Sequence, residues 1–193
     1  MTEHPRNPKT QQFCIKEVPY QAKNWNHLTT SWIYWFIGFV DGEGSFSIVK
    51  RQKNKQDHFW NCQTKFHISQ RADSQHILEE IQTVLGIGHC YYCPDISPKS
   101  NKRLHVNPMI SFIVSSMIDC QALVSLFEQF PLKLKQDEFL LWRNAVLELA
   151  KGKQRNLDYY DYLYFAIRWL RQYQHSIDNL YPYNSDWRKY LNT

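Results

Sequence analysis

The strongest signal along the chain is an apolar stretch with no polar side. Trp32 to Val40 runs nine residues without a charge, and Trp32, Ile33, Trp35, Phe36, Ile37, Phe39 and Val40 spread apolar groups around the whole helical wheel. Thr30 or Ser31 can cap such a helix, which is predicted to run to about Asp41. A helix apolar all round must be buried on every side, and in a chain this small that asks for a partner subunit as well as its own core. Two alternating stretches follow. In the first, Phe46 and Ile48 fall on even positions against Ser45, Ser47, Arg51 and Lys53 on odd ones, with Val49 and Lys50 breaking the pattern. In the second, and in the same phase, Trp60, Cys62, Phe66 and Ile68 alternate with Asn61, Gln63, Lys65, His67 and Ser69. Period two with one greasy and one polar face predicts a pair of half-buried strands, joined by a polar hairpin loop over 53–58.

Asp73 or Ser74 then caps a helix carrying Ile77, Leu78, Ile81, Val84 and Leu85, and Gly86 ends it. A Cys- and Tyr-containing segment and a basic loop (Lys99, Lys102, Arg103) lead to a strand over 109–114. Ser116, with Asp119 three residues on, opens a helix with Leu123, Val124, Leu126, Phe127 and Phe130, stopped by Pro131. Two more amphipathic helices are predicted at about 136–150 and 159–174, joined by a basic-polar link over 151–158. The order αββαββα is α+β, an antiparallel sheet with helices on one face. Residues 1–28, with Pro5, Pro8 and Pro19, read as an extended or loosely docked arm, 29–175 as one domain and 176–193 as a tail. No unit repeats.

Composition narrows the class. A chain of 193 residues that is 43% hydrophobic, with six glycines and eight prolines, is neither collagen-like nor low in complexity. Its nine-residue apolar run is too short to span a bilayer. The first fifteen residues are polar, so no secretion leader is expected, and five cysteines are an odd count for a disulfide framework. A reducing, intracellular setting follows, with no membrane partner and no small-molecule substrate.

Charge changes the picture more. Between Gly44 and Arg71 the basic residues are Lys50, Arg51, Lys53, Lys55, Lys65 and Arg71, against Asp57 alone. That excess equals the net +5 of the whole chain, packed into the two strands and their loop. A charge run is usually a solvated face, but here it lies on a strand face of amides, hydroxyls and cations without carboxylates. Such a face suits base edges and phosphates.

The string WIYWFIGFVDGEGSF (32–46) ends a buried helix in two carboxylates, Asp41 and Glu43, set among Gly42 and Gly44 in what reads as a glycine-rich turn. Two acids there, facing a basic sheet, are costly unless something cationic arrives. A hard divalent ion with phosphate oxygens would satisfy them.

FIGFVDGEG resembles the nine-residue motif of the LAGLIDADG homing endonucleases. Gln70, the GIG at 86–88 and the LKLKQ at 132–136 follow in family order and at family-like spacing, so the resemblance covers roughly 30–150. It implies a saddle-shaped sheet and a metal-dependent DNA endonuclease using Mg²⁺, with Mn²⁺ able to substitute. By position, Glu43 matches the metal-binding acid, with the Gly42 carbonyl assisting. Asp41 matches a structural acid at the helix end. Gln70 matches a residue near the attacking water, and Lys135 a lysine that supports the water network and the developing phosphorane charge. Two positions depart from the pattern. Ile37 stands where the family often has Ala, which loosens helix pairing, and Ser74 stands where some relatives place an Arg, a role Arg71 could partly take.

Only one motif is present, so one chain cannot build a two-metal site. Two chains can, if their 32–41 helices pair through Trp35, Phe36, Gly38 and Phe39 in an isologous homodimer. The resemblance then implies a pseudo-palindromic duplex target, read in the major groove by Ser47, Val49, Arg51, Lys53, Asn61, Gln63, Lys65 and His67, with Lys55 and Arg71 also binding the DNA. Cleavage would leave 3′ overhangs, and the family's frequent home is organellar introns, in mitochondria or chloroplasts. Two alternatives share the scaffold: an intron RNA maturase, and a DNA-binding protein that has lost cleavage. Other chemistries fit less well. An EF-hand over 41–52 fails because its sixth position is Phe46 and its twelfth Gln52. Cys90 and Cys93, with Cys62, His67 or His89, lack a supported zinc spacing. The aromatic 159–169 stretch reads as helix core.

Overall fold

The computed structural model describes residue 20 and residues 23–52, 60–94, 108–152 and 157–173. The elements run α1 (Thr30–Glu43), β1 (Gly44–Gln52), β2 (Trp60–Arg71), a 3₁₀ turn (Ala72–Ser74), α2 (Gln75–Leu85), β3 (His89–Cys93), β4 (Met109–Val114), α3 (Met117–Gln129), α4 (Gln136–Ala150) and α5 (Leu157–Tyr173). The four strands form one antiparallel sheet in the order β1-β2-β4-β3. This is the α+β arrangement expected from the alternation, with α4 and α5 added after the αββαββα unit.

Strand phase decides where the core sits. Phe46 lies opposite Phe66 and Ile68 opposite Phe112, and these four with Ile48, Cys62, Thr64, Ile110 and Val114 are buried on the face the helices cover. Phe46 is the hub. Its ring lies 5.2 to 5.9 Å from those of Phe66, Phe127, Phe139 and Trp142, so strands β1 and β2 and helices α3 and α4 meet in one aromatic cluster. Aromatic pairs at such separations add about 0.5–1.5 kcal/mol each beyond burial. Tyr160, Leu163, Ile167 and Leu170 seat α5 on the same core; of the aromatic stretch read as helix core, Tyr160 is buried, Tyr159, Tyr162, Tyr164 and Trp169 pack half-buried against it, and Phe165 is exposed.

Helix α1 differs from expectation in three ways. Its cap is Thr29, whose hydroxyl accepts from the Trp32 amide at 3.3 Å. It does not stop at Asp41 but continues through Glu43, so the two acids lie in its last turn and not in a glycine-rich turn beyond it. The Gly44 amide donates to the Val40 carbonyl and β1 leaves at once. A Cβ at Gly44 would come within 2.7 Å of Val40 and 3.2 Å of the Phe66 ring, which is why glycine stands at this junction. Nor is α1 buried on every side: Ile33, Phe36, Ile37 and Val40 face the core, but Tyr34 and Trp35 are 64% and 42% exposed and Gly38 is open. Phe36 therefore leaves the expected pairing surface. It is fully buried and stacked on Phe127 at 6.2 Å.

Smaller differences have local causes. Ser74 stands at the N-cap of α2 as expected, but its hydroxyl bonds Asp73 and not a helix amide, and the 3₁₀ turn is tied to the Pro108 carbonyl through the Ala72 amide. The GIG string has two separate reasons. Gly86 ends α2 in the left-handed region (φ 61°), and a Cβ at Gly88 (φ 71°) would sit within 2.8 Å of Phe112, Ile113 and Val114. Ser116 caps α3 by accepting from the Asp119 amide at 3.1 Å, as the spacing predicts. Trp25, placed by sequence in the arm, belongs to the core: it is buried, and its indole donates to Ser125. The 53–58 loop and the 176–193 tail lie outside the described residues. No helix among those described is long and apolar enough to cross a membrane.

Candidate active site and nucleic-acid interface

The last turn of α1 is fastened to the loop before α4. Asp41 is buried, and its carboxylate accepts the backbone amides of Lys133, Leu134 and Lys135 at 2.8, 3.0 and 3.1 Å. Three charge-assisted bonds satisfy the buried acid and fix the 133–135 backbone against the helix end. The LKLKQ string thus supplies a cradle of amides for an acid 92 residues away in sequence. Gln136 closes the same loop by accepting the Leu132 amide at 3.1 Å.

That fastening delivers a lysine to the helix terminus. Lys135 Nζ donates to the carbonyl oxygens of Val40 at 3.2 Å and Gly42 at 3.0 Å. These carbonyls lie at the negative pole of α1, whose last turn contains no basic residue. Burial holds the Lys135 ammonium below the usual lysine range, opposed by Glu138, Asp41 and Glu43, while Arg171 adds to the lowering. Glu43 is exposed and accepts no hydrogen bond among the described residues. An outward carboxylate, a helix-end carbonyl and a dipole of the same sign make an all-oxygen donor set of the kind hard divalent cations take. The fit is supported by the cation already there, since the Lys135 ammonium occupies the Gly42 oxygen expected to assist a metal.

Gln70 belongs to this corner by register. Gly44 pairs with Ile68, so Gln70, two residues further along β2 and on the same face, flanks the last turn of α1. It is half-buried. Around the corner lies the other face of the sheet, which no helix among the described residues covers. Cross-strand pairs Ser45–His67, Ser47–Lys65, Val49–Gln63 and Arg51–Asn61 put the expected odd-numbered residues there. Several are already engaged. The Ser47 hydroxyl donates to the Lys65 carbonyl at 3.1 Å, and the Gln63 amide to the Ser115 carbonyl at 3.2 Å. Arg71 makes an exposed ion pair with Asp73 at 3.0 Å, a contact worth little in water and easily exchanged for a phosphate. His67 is held below the ordinary imidazole value by burial, then by Lys65 and Arg171. For Arg51 and Asn61 only the backbone is described, and Lys53 and Lys55 lie outside the described residues.

Sequence reasoning missed part of this face because the sheet is wider than one hairpin. Ser69 and Ser111, hydrogen-bonded at 2.8 Å, and Tyr91 opposite Ser111 continue the open face into β4 and β3. The period-two spacing of Ser111 within 109–114 was the available signal. The cysteines do not converge: Cys90 and Cys93 point to opposite faces of β3, and no cluster of three metal-ligating side chains occurs among the described residues.

Comparison with known proteins gives a consistent picture. The family model described as LAGLIDADG endonuclease matches residues 36–146. The chain is 29% identical over 129 residues to a protein of Schizosaccharomyces pombe named "Probable intron-encoded endonuclease Cox1-I1b". That match takes in 66% of this chain and 30% of the relative, and the chain spans less than a third of the length of the curated relatives it matches. Among solved structures, the archaeal intron-encoded homing endonuclease I-Vdi141I complexed with DNA is similar at TM-score 0.57 and 19% identity, over 84% of this chain and 93% of its own. The structure of I-SmaMI bound to an uncleaved DNA target in the presence of calcium ions is similar at TM-score 0.57 and 18% identity, over 78% of this chain but 48% of its own.

Proposed function

Because the chain belongs to the LAGLIDADG endonuclease family, we propose that it cuts both strands of a long, pseudo-palindromic DNA target by metal-dependent hydrolysis, as a homodimer, leaving 3′ overhangs. The observation that carries the proposal is the end of α1, where an outward Glu43 and a fastened Lys135 share one helix terminus beside an uncovered basic-polar sheet face. Glu43 and the Gly42 carbonyl would hold Mg²⁺, or Mn²⁺ in its place. The ion supplies neutralisation of phosphate charge and a more acidic water. Gln70 orients the water that displaces the 3′ oxygen, and Lys135 meets the charge that grows on the phosphorane. Asp41 takes no part in the chemistry and holds the loop that carries Lys135. Ser47, Val49, Arg51, Asn61, Gln63, Lys65 and His67 read bases, where a bidentate pair to guanine or adenine is worth about 1–3 kcal/mol of discrimination. Lys53 is expected beside them in the groove, and Lys55 and Arg71 serve phosphates. The names of the fungal relatives support a target in the intronless form of a host gene and action inside an organelle.

The test is incubation with a duplex target library in Mg²⁺ and in Ca²⁺, with binding measured against salt. We expect double-strand cleavage in Mg²⁺ and binding that weakens steeply as salt rises, because several phosphates are neutralised. Tight binding without cleavage in any metal would leave the cleavage-dead reading, and binding to folded intron RNA alone the maturase.

The dimer has its own support. A Cβ at Gly38 meets nothing within 4 Å among the described residues, so their packing does not require glycine there. A glycine inside a helix costs about 0.5–1 kcal/mol relative to alanine, a cost accepted where another backbone comes close. Trp35 and Phe39, stacked at 5.4 Å, flank it on the open side. The two lengths among the solved neighbours agree with one chain being half of an assembled unit. Gly38→Leu should therefore keep the folded circular-dichroism spectrum while sedimentation shifts from dimer to monomer. An unchanged dimer would remove α1 from the interface.

A further inference from the structure

We infer that Arg171, on α5, is a positioning residue for Lys135: by occupying the Glu138 carboxylate it leaves the lysine ammonium free to hold the end of α1. The inference rests on the function proposed above and adds a residue from outside the 36–146 stretch that the family model matches. Glu138 lies in the first turn of α4, three residues after Lys135, and is 2% exposed. Side chains three apart at a helix start can reach each other. A buried carboxylate without a partner is costly and takes the nearest cation. Here that cation is Arg171, whose Nε donates to Glu138 Oε2 at 2.8 Å. Its second donor, on NH2, goes to the Phe46 carbonyl on β1, two residues past Gly44. One guanidinium thus satisfies the acid beside the lysine and ties down the strand that follows Glu43. Without it, Lys135 is the only other cation with Glu138 in its own turn, and it would exchange the Val40 and Gly42 carbonyls for that carboxylate.

The test compares wild type, Arg171→Met and the double variant Arg171→Met/Glu138→Gln in single-turnover cleavage, duplex binding and the ¹³Cε NMR signal of Lys135, assigned with Lys135→Arg. In Arg171→Met we expect cleavage to slow by about ten- to a hundredfold with duplex Kd changed by less than about twofold, and the Lys135 signal to move. The double variant removes the competing anion, so its cleavage should return to within about threefold of wild type and its Lys135 signal to the wild-type position. It buries no unpaired charge and therefore stays readable if Arg171→Met folds poorly. Cleavage at the wild-type rate in Arg171→Met, or a double variant that remains slow, overturns the inference. If wild type cuts no duplex, the proposed function fails, and the Lys135 signal alone then decides whether Arg171 positions it.

Discussion

Glu43→Gln should abolish cleavage while leaving duplex binding intact, a loss of about a thousandfold or more in single-turnover rate. The neutral amide is close to the carboxylate in size and sits on an exposed side chain at the end of α1, so nothing in the core responds to it. What changes is charge. The helix terminus already presents its carbonyl pole, and Glu43 adds the one outward carboxylate that can compensate a divalent cation there. Replacing a charged oxygen ligand by a neutral one weakens that site, and several kcal/mol of transition-state stabilisation go with it at about 1.4 kcal/mol per tenfold. Under the proposed function, binding uses the sheet face on the far side of β1 from the described helices, and should change by less than about threefold. Cleavage persisting in Glu43→Gln at the wild-type rate would move the metal-binding role elsewhere. Loss of binding in step with cleavage would mean that Glu43 serves the interface and not the chemistry.

Asp41→Ala should have the largest effect on stability, about 3–5 kcal/mol, through three backbone amides that lose a charged acceptor in a buried place. Alanine is a better helix former, so an effect of this size cannot come from α1 propensity. Asp41→Asn keeps one oxygen for those amides but turns an NH₂ toward the others, and should cost roughly half as much. Urea denaturation measures both. At urea concentrations where Asp41→Asn is fully folded, hydrogen exchange should be faster at the Lys133, Leu134 and Lys135 amides and unchanged in β4. Uniformly faster exchange, or a cost below about 1 kcal/mol, would mean that the contact between α1 and the 133–135 loop is held by something other than this carboxylate.

Local periodicity carried much of this architecture, and tertiary pairing carried what was hidden. The even phase of Phe46, Ile48, Phe66 and Ile68 was readable because strand period and burial coincide, and the register bears it out. The Ser116–Asp119 cap is a short-range bond between residues at a fixed offset and was equally open to reading. Phe36 was not. On a wheel apolar all round, nothing local distinguishes the side that meets Phe127 from the side that carries Trp35. The same limit hid where α1 ends: two glycines and two acids suggest a turn, and only the amides of a distant loop explain why the helix holds together through Glu43. Arg171 and Glu138 sit on different helices with no motif between them, so their pairing had no trace in the residue pattern.

The direct passage from α1 into β1 at Gly44 bears on target length. Helix α1 and strand β1 are one continuous piece of backbone, and the packing around Gly44 leaves no slack at their join. If two chains meet through α1, the separation of the two reading surfaces is a rigid ruler. Each base pair inserted at the centre of a target turns one half-site by about 34° and moves it by about 3.4 Å. A hinged dimer could follow such a change by bending at the linker. A dimer without a hinge has to release one half-site, so this chain should tolerate substitutions across its target far better than a single inserted or deleted base at the midpoint.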